Sequence, residues 1–171
     1  EYGLGERVDE INLAAARLAR QAADEFSTAT GQPRFVAGSL GPSGRLPSMN
    51  DPEMAITFDD LAAVFKEQAR ALIAGGVDLL LIETSQDILE VKAALEGIRQ
   101  AFAASGTWLP VQAQVTLDTT GRMLLGTDIA AVVAILESLP VAVIGLNCST
   151  GPEHMRGAIA YLGEQSRRPI S

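Results

Sequence analysis

One side chain in this sequence is both a strong nucleophile and a soft metal ligand. Cys148, the only cysteine, follows the apolar run 141–146 (VAVIGL), which is typical of a strand covered on both faces in a parallel sheet. Residues 149–153 (STGPE) favour the start of a helix, because Ser or Thr can cap it and Pro suits its first position. The thiol is therefore predicted to lie at a strand-to-helix turn, on the carboxyl edge of the sheet, where α/β proteins bind ligands.

The composition alone leaves two interpretations of Cys148 open. A lone cysteine beside a hydrophobic strand is most often a small buried apolar residue. A position next to the amino terminus of a helix instead favours a thiolate, because the helix dipole lowers the pKa of a thiol.

Polar side chains also end the neighbouring predicted strands. Glu83 closes the apolar run 78–82 (DLLLI) and is either an exposed carboxylate at a loop entrance or a binding group. Asn147 could orient the Cys148 loop or serve only its turn, and the turn is the favoured interpretation. Three hydroxyls are as well suited to capping helices as to touching a substrate: Ser39, Thr84 and Thr116.

Two further features are assigned no chemistry. His154, the only histidine, falls in the first turn of the last predicted helix and is interpreted as an exposed surface residue. Residues 41–44 (GPSG) lack the lysine and the following helix of a phosphate-binding loop. They belong to a loop over residues 40–53 that is either functional or a flexible surface excursion.

A regular alternation of strands and helices positions these residues. Strands are predicted to begin near residues 34, 78, 111, 141 and 169, and helices over about 6–29, 57–74, 87–103, 127–136 and 152–165. This pattern predicts an α/β fold with a parallel sheet. A closed eight-stranded barrel needs about 250 residues. We therefore expect a partial (β/α)8 TIM barrel of four to five strands, open at both ends, and the alternative is a self-contained doubly wound domain.

Charge and composition restrict the partners. The net charge of −8 at pH 7 disfavours nucleic acid and anionic membranes as partners. One cysteine cannot form an internal disulfide, and no apolar segment reaches the roughly 18 residues of a membrane span. These features predict a cytoplasmic protein.

Three motifs together resemble a known family. GSLGP at residues 38–42, DLLLIET at 78–84 and IGLNC at 144–148 resemble, in the same order, the homocysteine-binding barrel of the cobalamin-dependent methionine synthases, a zinc-dependent homocysteine S-methyltransferase. The resemblance runs from about residue 8 to the last residue. It implies that residues 1–171 are the middle segment of an incomplete homocysteine-binding barrel domain, with strands missing on both sides.

The resemblance also implies roles for two residues. Cys148 matches one of three zinc-binding cysteines, and the other two form an adjacent pair after the final strand, beyond this sequence. Glu83 matches the glutamate that receives the ammonium group of homocysteine. In the family the zinc-bound thiolate of homocysteine takes a methyl group from methylcobalamin, which methyltetrahydrofolate regenerates on separate pterin- and cobalamin-binding modules.

Other functions remain open at this point. Related enzymes use betaine or S-methylmethionine as the methyl donor on the same barrel. A non-catalytic α/β binding domain, with Cys148 packed as an apolar residue, is the alternative of another class. Because the sequence contains no second cysteine, we expect this chain alone to be inactive.

Overall fold

The structure is a computed structural model that describes residues 3–171. A 3-10 turn at Gly5–Arg7 precedes the first helix. The regular elements then alternate along the chain: α1 Val8–Thr30, β1 Ala37–Leu40, α2 Phe58–Ala74, β2 Leu79–Ser85, α3 Ile88–Ser105, β3 Val111–Val115, α4 Ile129–Glu137, β4 Val143–Leu146 and α5 Pro152–Gln165. Four of the five predicted strands and all five predicted helices are present among the described residues, with ends shifted by a few residues. Over residues 3–171, no helix has the length and apolarity to cross a membrane.

The sheet is parallel, and its strands lie side by side in the order β1-β2-β3-β4. A doubly wound sheet reverses its strand order at a switch point, whereas a barrel adds each strand beside the last one. The doubly wound alternative is therefore wrong for the described residues. The expected α/β fold with consecutive parallel strands is confirmed.

The predicted fifth strand begins at the end of the chain. Ser171 donates its backbone N–H to the carbonyl of Ile144 at 3.1 Å, and Ile144 donates to the carbonyl of Pro169 at 3.1 Å. Gly145 permits this approach, because a Cβ there would lie 2.3 Å from the carbonyl oxygen of Ser171. Residues 169–171 thus continue the sheet beside β4 in the parallel direction.

The two faces of the sheet differ in burial. One row of register partners crosses all four strands and is at most 1% exposed: Leu40, Ile82, Ala113 and Ile144. These side chains pack with the helices in one hydrophobic core. The adjacent row faces the other way and is half-buried or exposed: Ser39, Leu81, Gln112 and Val143. The polar residues of β3 lie on this second face, as their alternation predicts.

Side-chain caps start three of the helices. Thr57 Oγ1 accepts from the N–H of Asp60 at 3.1 Å, Asp87 accepts from Leu89 at 2.9 Å, and Asp128 accepts from Ala131 at 3.0 Å. These bonds satisfy N–H groups that have no partner inside the helix.

The expected Ser or Thr cap of α5 is wrong. Gly151 is the N-cap and makes no side-chain bond, although Pro152 occupies the first helical position as predicted. The chain arrives at Gly151 through a left-handed conformation at Cys148 and Ser149, with φ of 65° and 67°. The first residue of α5 is therefore set by the backbone conformation of the preceding residues and not by a hydroxyl cap.

The loop between β1 and α2 is anchored to the core at one residue. Leu46 is only 3% exposed, and its N–H donates to the carbonyl of Met54 at 2.8 Å. A short parallel bridge joins Leu46 to Ala55. Most of the other residues of the loop are exposed, so the functional loop and the flexible surface excursion both stay predictions.

Candidate functional site

The carboxyl edge of the sheet gathers the polar residues that end the strands. Glu83 is half-buried at the end of β2. Its Oε1 accepts a hydrogen bond from the hydroxyl of Ser39 in β1. Its Oε2 lies 3.3 Å from Nδ2 of Asn147, which donates to it from beyond the end of β4. Each carboxylate oxygen is therefore oriented by a donor from a different strand.

A β-bulge sets the direction of these side chains. Ile82 pairs with Ala113 and Ser85 pairs with Val115, so two residues of β2, Glu83 and Thr84, stand opposite one residue of β3. Thr84 has a φ of 58°, which is rare for a β-branched residue. Bulges of this kind redirect side chains and are frequent beside active sites.

Asn147 bridges the ends of β2 and β4. Its Oδ1 accepts from the N–H of Thr84 at 2.9 Å, and its Nδ2 donates to Oγ1 of Thr84 at 2.7 Å. Its backbone is held to β3, because its N–H donates to the carbonyl of Val115 at 3.2 Å and its carbonyl accepts from Thr116 Oγ1 at 2.8 Å. The expectation that Asn147 serves only its own turn is wrong.

The three hydroxyls at the strand ends cap no helix. Ser39 donates to Glu83, Thr84 accepts from Asn147, and Thr116 donates to the carbonyl of Asn147. They connect the ends of the strands to one another and so fix the edge on which a ligand would bind.

Cys148 is exposed. The interpretation of this residue as a small buried apolar side chain is therefore wrong. Its φ of 65° is followed by 67° at Ser149, and two successive left-handed residues other than glycine are a strain that the surrounding structure must support. Because Asn147 precedes the thiol and contacts Glu83, Cys148 and Glu83 lie on the same edge of the sheet.

The described residues do not make a metal site by themselves. Within residues 3–171, no group of three or more His, Cys, Asp or Glu side chains could hold a metal ion. His154 is exposed in the first turn of α5, as predicted. An exposed thiol at the sheet edge fits the requirement for a single soft ligand of zinc, and further ligands would have to come from elsewhere.

Two buried carboxylates fix the loop beside this edge. Asp87 accepts from the N–H and the hydroxyl of Ser48 at 3.1 and 3.0 Å, and Oε1 of Glu90 accepts from the N–H and the hydroxyl of Ser43 at 2.9 and 2.8 Å. Glu90 is completely buried. Burial raises the pKa of Glu90, and the hydrogen bonds from Ser43 partly offset this rise. In the sequence, the burial of Glu90 is indicated only by its position on the same side of α3 as Ala94 and Ala101, which are also buried.

The sequence profile described as "Homocysteine S-methyltransferase" matches residues 1–171. The chain belongs to this family.

Two relatives of the homocysteine S-methyltransferase family carry the name methionine synthase. The proteins of Mycobacterium tuberculosis and Mycobacterium leprae are 39% and 38% identical to this chain over all 171 residues. The chain spans only 14% of the length of either relative. The resemblance that the three motifs indicate, to a segment of methionine synthase, is confirmed.

A solved structure of the family shares the fold. The apo form of the homocysteine methyltransferase MmuM from Escherichia coli superposes with a TM-score of 0.80 at 26% identity, over 99% of this chain and 61% of that chain. Its metallated form gives a TM-score of 0.77 at 25% identity, over 95% of this chain and 56% of that chain. The predicted partial TIM barrel is confirmed by this match.

Proposed function

We propose that residues 1–171 are part of one homocysteine-binding barrel, in which Glu83 binds the substrate ammonium group and Cys148 is one of three zinc ligands. The observation that carries the proposal is the bond between Asn147 and Glu83, since it brings a held carboxylate and an exposed thiol to one edge. Family membership and the name methionine synthase of two relatives support homocysteine as substrate and methionine as product.

Each residue has a task that its surroundings support. Ser39 and Asn147 orient the carboxylate of Glu83, which would accept a charge-assisted hydrogen bond from the ammonium group of homocysteine. This contact would distinguish an amino acid from a simple thiol. Cys148 would supply one thiolate to zinc, and two further cysteines would come from polypeptide outside this chain. When bound, zinc would keep the substrate sulfur deprotonated and nucleophilic at neutral pH.

The reaction is a methyl transfer to sulfur. The substrate sulfur supplies the electron pair of its new bond to the methyl carbon, the bond between that carbon and the donor breaks with its electron pair remaining on the donor, and the thiol proton is lost to solvent. We propose methylcobalamin as the donor, regenerated by methyltetrahydrofolate on cobalamin- and pterin-binding modules outside this chain. The two relatives named methionine synthase are more similar to this chain than the matched MmuM structures are, which supports a donor of the methionine synthase type, and S-methylmethionine and betaine are the alternatives.

The test uses the whole protein that contains this chain, with zinc content and methionine formation as readouts. Cys148→Ser should lose bound zinc and activity together, whereas Ser149→Ala, at the exposed position next to it, should keep both. Glu83→Gln should keep zinc and raise the KM for homocysteine by about 10- to 100-fold, because a hydrogen bond to a charged group is worth about 1.5–3 kcal/mol. Full activity of Cys148→Ser would refute the proposal.

A second measurement concerns the 171-residue chain alone. A single thiolate should not hold zinc tightly, so we expect no stoichiometric zinc and no methyl transfer from this chain. Tight one-to-one zinc binding by a monomer would contradict the assignment of the missing ligands. Rates with methylcobalamin, S-methylmethionine and betaine, compared in the whole protein, test the donor.

A further inference from the structure

The bulge in β2 leaves a polar backbone group that the sheet cannot satisfy. Thr84 is the extra residue between the pairs formed by Ile82 and Ser85. Its N–H donates to the side chain of Asn147 at 2.9 Å. A backbone N–H without a partner costs about 1–3 kcal/mol when it is buried. By accepting this hydrogen bond, the side-chain amide of Asn147 stabilises the unusual φ of Thr84.

The same amide group also reaches the candidate substrate-binding carboxylate. Nδ2 of Asn147 lies 2.7 Å from Oγ1 of Thr84 and 3.3 Å from Oε2 of Glu83. The backbone of Asn147 is fixed to β3 on both sides of its Cα, through Val115 and Thr116. The residue that follows is Cys148. One side chain therefore connects the carboxylate to the backbone segment that carries the thiol.

We propose that Asn147 is a positioning residue that sets the separation between Glu83 and Cys148. This inference rests on the proposed function, because Glu83 and Cys148 are there assigned to the two ends of homocysteine. A fixed separation selects a thiol that carries an ammonium group at a defined distance from its sulfur. Asn147 thereby contributes to specificity without touching the substrate.

The chemistry of the position favours asparagine. The side chain must accept from the N–H of Thr84 and donate toward Glu83 at the same time. An aspartate in this place could still accept from Thr84, but it would present an acceptor and a second negative charge to the carboxylate of Glu83. The substitution Asn147→Asp thus separates the support of the bulge from the contact with Glu83, whereas Asn147→Ala removes both.

The experiment compares two thiols in the whole protein that contains this chain. The substrates are homocysteine and 4-mercaptobutyrate, which has the same carbon chain but no ammonium group. Asn147→Asp should raise the KM for homocysteine by about 10- to 100-fold, as expected for the loss of a bond to a charged group, and should change the KM for 4-mercaptobutyrate far less. Asn50→Asp makes the same charge change at an exposed loop residue and should leave both KM values unchanged.

A double-mutant cycle tests whether Asn147 acts through Glu83. In the Glu83→Gln background, Asn147→Asp should have a much smaller effect on the KM for homocysteine than it has in the wild type, because coupled residues are not additive. Two independent effects that multiply would overturn the inference.

Amide hydrogen exchange of the whole protein that contains this chain, measured without zinc or substrate, gives a further readout. The N–H of Thr84 should lose its protection in Asn147→Ala and keep most of it in Asn147→Asp, because the carboxylate still accepts that bond. Equal loss of protection in both variants would contradict the assigned hydrogen bond.

The outcomes separate this inference from the proposed function. If the wild-type protein binds no zinc and does not methylate homocysteine, the proposed function fails. If the wild type is active but Asn147→Asp raises the KM values for both thiols equally, or raises neither, Asn147 does not position Glu83 and only the inference is wrong.

Discussion

The two edges of the sheet use polar side chains in different ways. At the amino edge, Oδ2 of Asp78 accepts from Arg20 Nη1 at 2.7 Å and from the N–H of Val36 at 2.6 Å. These bonds join α1 and the start of β1 to the start of β2. At the carboxyl edge, Glu83 and Asn147 bond to each other and to the neighbouring strand ends. The first arrangement attaches a helix to the sheet, and the second holds strand ends in fixed relative positions.

The backbone conformation also differs between the two edges of the sheet. All three non-glycine residues with positive φ among the described residues lie at the carboxyl edge: Thr84, Cys148 and Ser149. Strain of this kind costs about 1–3 kcal/mol per residue and is concentrated at functional sites. The amino edge has aromatic packing instead, with the rings of Phe102 and Trp108 5.2 Å apart. We infer that the amino edge contributes mainly stability and that the carboxyl edge gives up some stability for function.

The largest expected loss of stability comes from a substitution in the part of the hydrophobic core that lies near the amino edge. Leu80 is completely buried, and one of its methyl groups would lie 3.1 Å from a Cβ at Gly38. Leu80→Ala should lower the free energy of unfolding by about 2–5 kcal/mol, because it leaves a cavity among packed side chains. Urea denaturation of the 171-residue chain measures this change.

The matched change at the carboxyl edge is Ser39→Ala. Ser39 is exposed, so the loss of its bond to Glu83 should cost about 1 kcal/mol or less. If Ser39→Ala destabilises the chain as much as Leu80→Ala does, the proposed division between the two edges is wrong.

We expect Asp78→Asn to lower the free energy of unfolding less than Leu80→Ala does. The side chains of Arg20 and Asp78 are 24% and 35% exposed, so solvent weakens this ion pair relative to a buried one. We expect a loss of about 1 kcal/mol of unfolding free energy, and no change in the exchange of the Thr84 amide or in the KM for homocysteine of the whole protein. A raised KM would show that the amino edge also shapes the site.

The fold was predictable because its signals are local. Apolar runs such as residues 78–82 and 141–146, and the regular spacing of the strands, can be recognised in the sequence without knowledge of contacts between distant residues. The repeated strand-helix pattern predicted a parallel sheet but left a doubly wound strand order open, which the structure excludes. The cap of α5 was missed because the left-handed conformation of Cys148 and Ser149 leaves no sign in residue type.

The site was less predictable because its contacts join distant parts of the chain. The roles of Glu83 and Cys148 came from the resemblance to a family and remain proposals. The bulge adds one residue to β2 without disturbing its apolar pattern, so nothing in the sequence shows it. The contact between Asn147 and Thr84 spans 63 residues. The burial of Glu90 conflicts with the usual exposure of glutamate, and only its place on the apolar side of α3 indicates it.

The smallest expected effect is a pH dependence from Glu90. Burial raises the pKa of Glu90 above its ordinary value near 4.5, so the folded chain holds this proton more tightly than the unfolded chain does. Its contribution to stability is therefore complete below that ordinary value and is lost as the pH rises through the pKa of the folded state. As the pH rises from that ordinary value through the pKa of the folded state, the stability of the wild type should fall relative to that of Glu90→Gln, as measured by urea denaturation.

Glu96 provides a control of opposite sign on the same helix. Hydrogen bonds from Arg99 and Gln100 lower the pKa of Glu96 to about 2. Its stabilising contribution is present above its ordinary pKa and is lost only as the pH falls toward that lowered value. The stability of the wild type relative to Glu96→Gln should therefore rise as the pH passes the ordinary pKa of Glu96 and then stay constant, whereas its stability relative to Glu90→Gln falls. Parallel pH profiles for the two variants would show that the buried carboxylate beside the carboxyl edge is not the source of the effect.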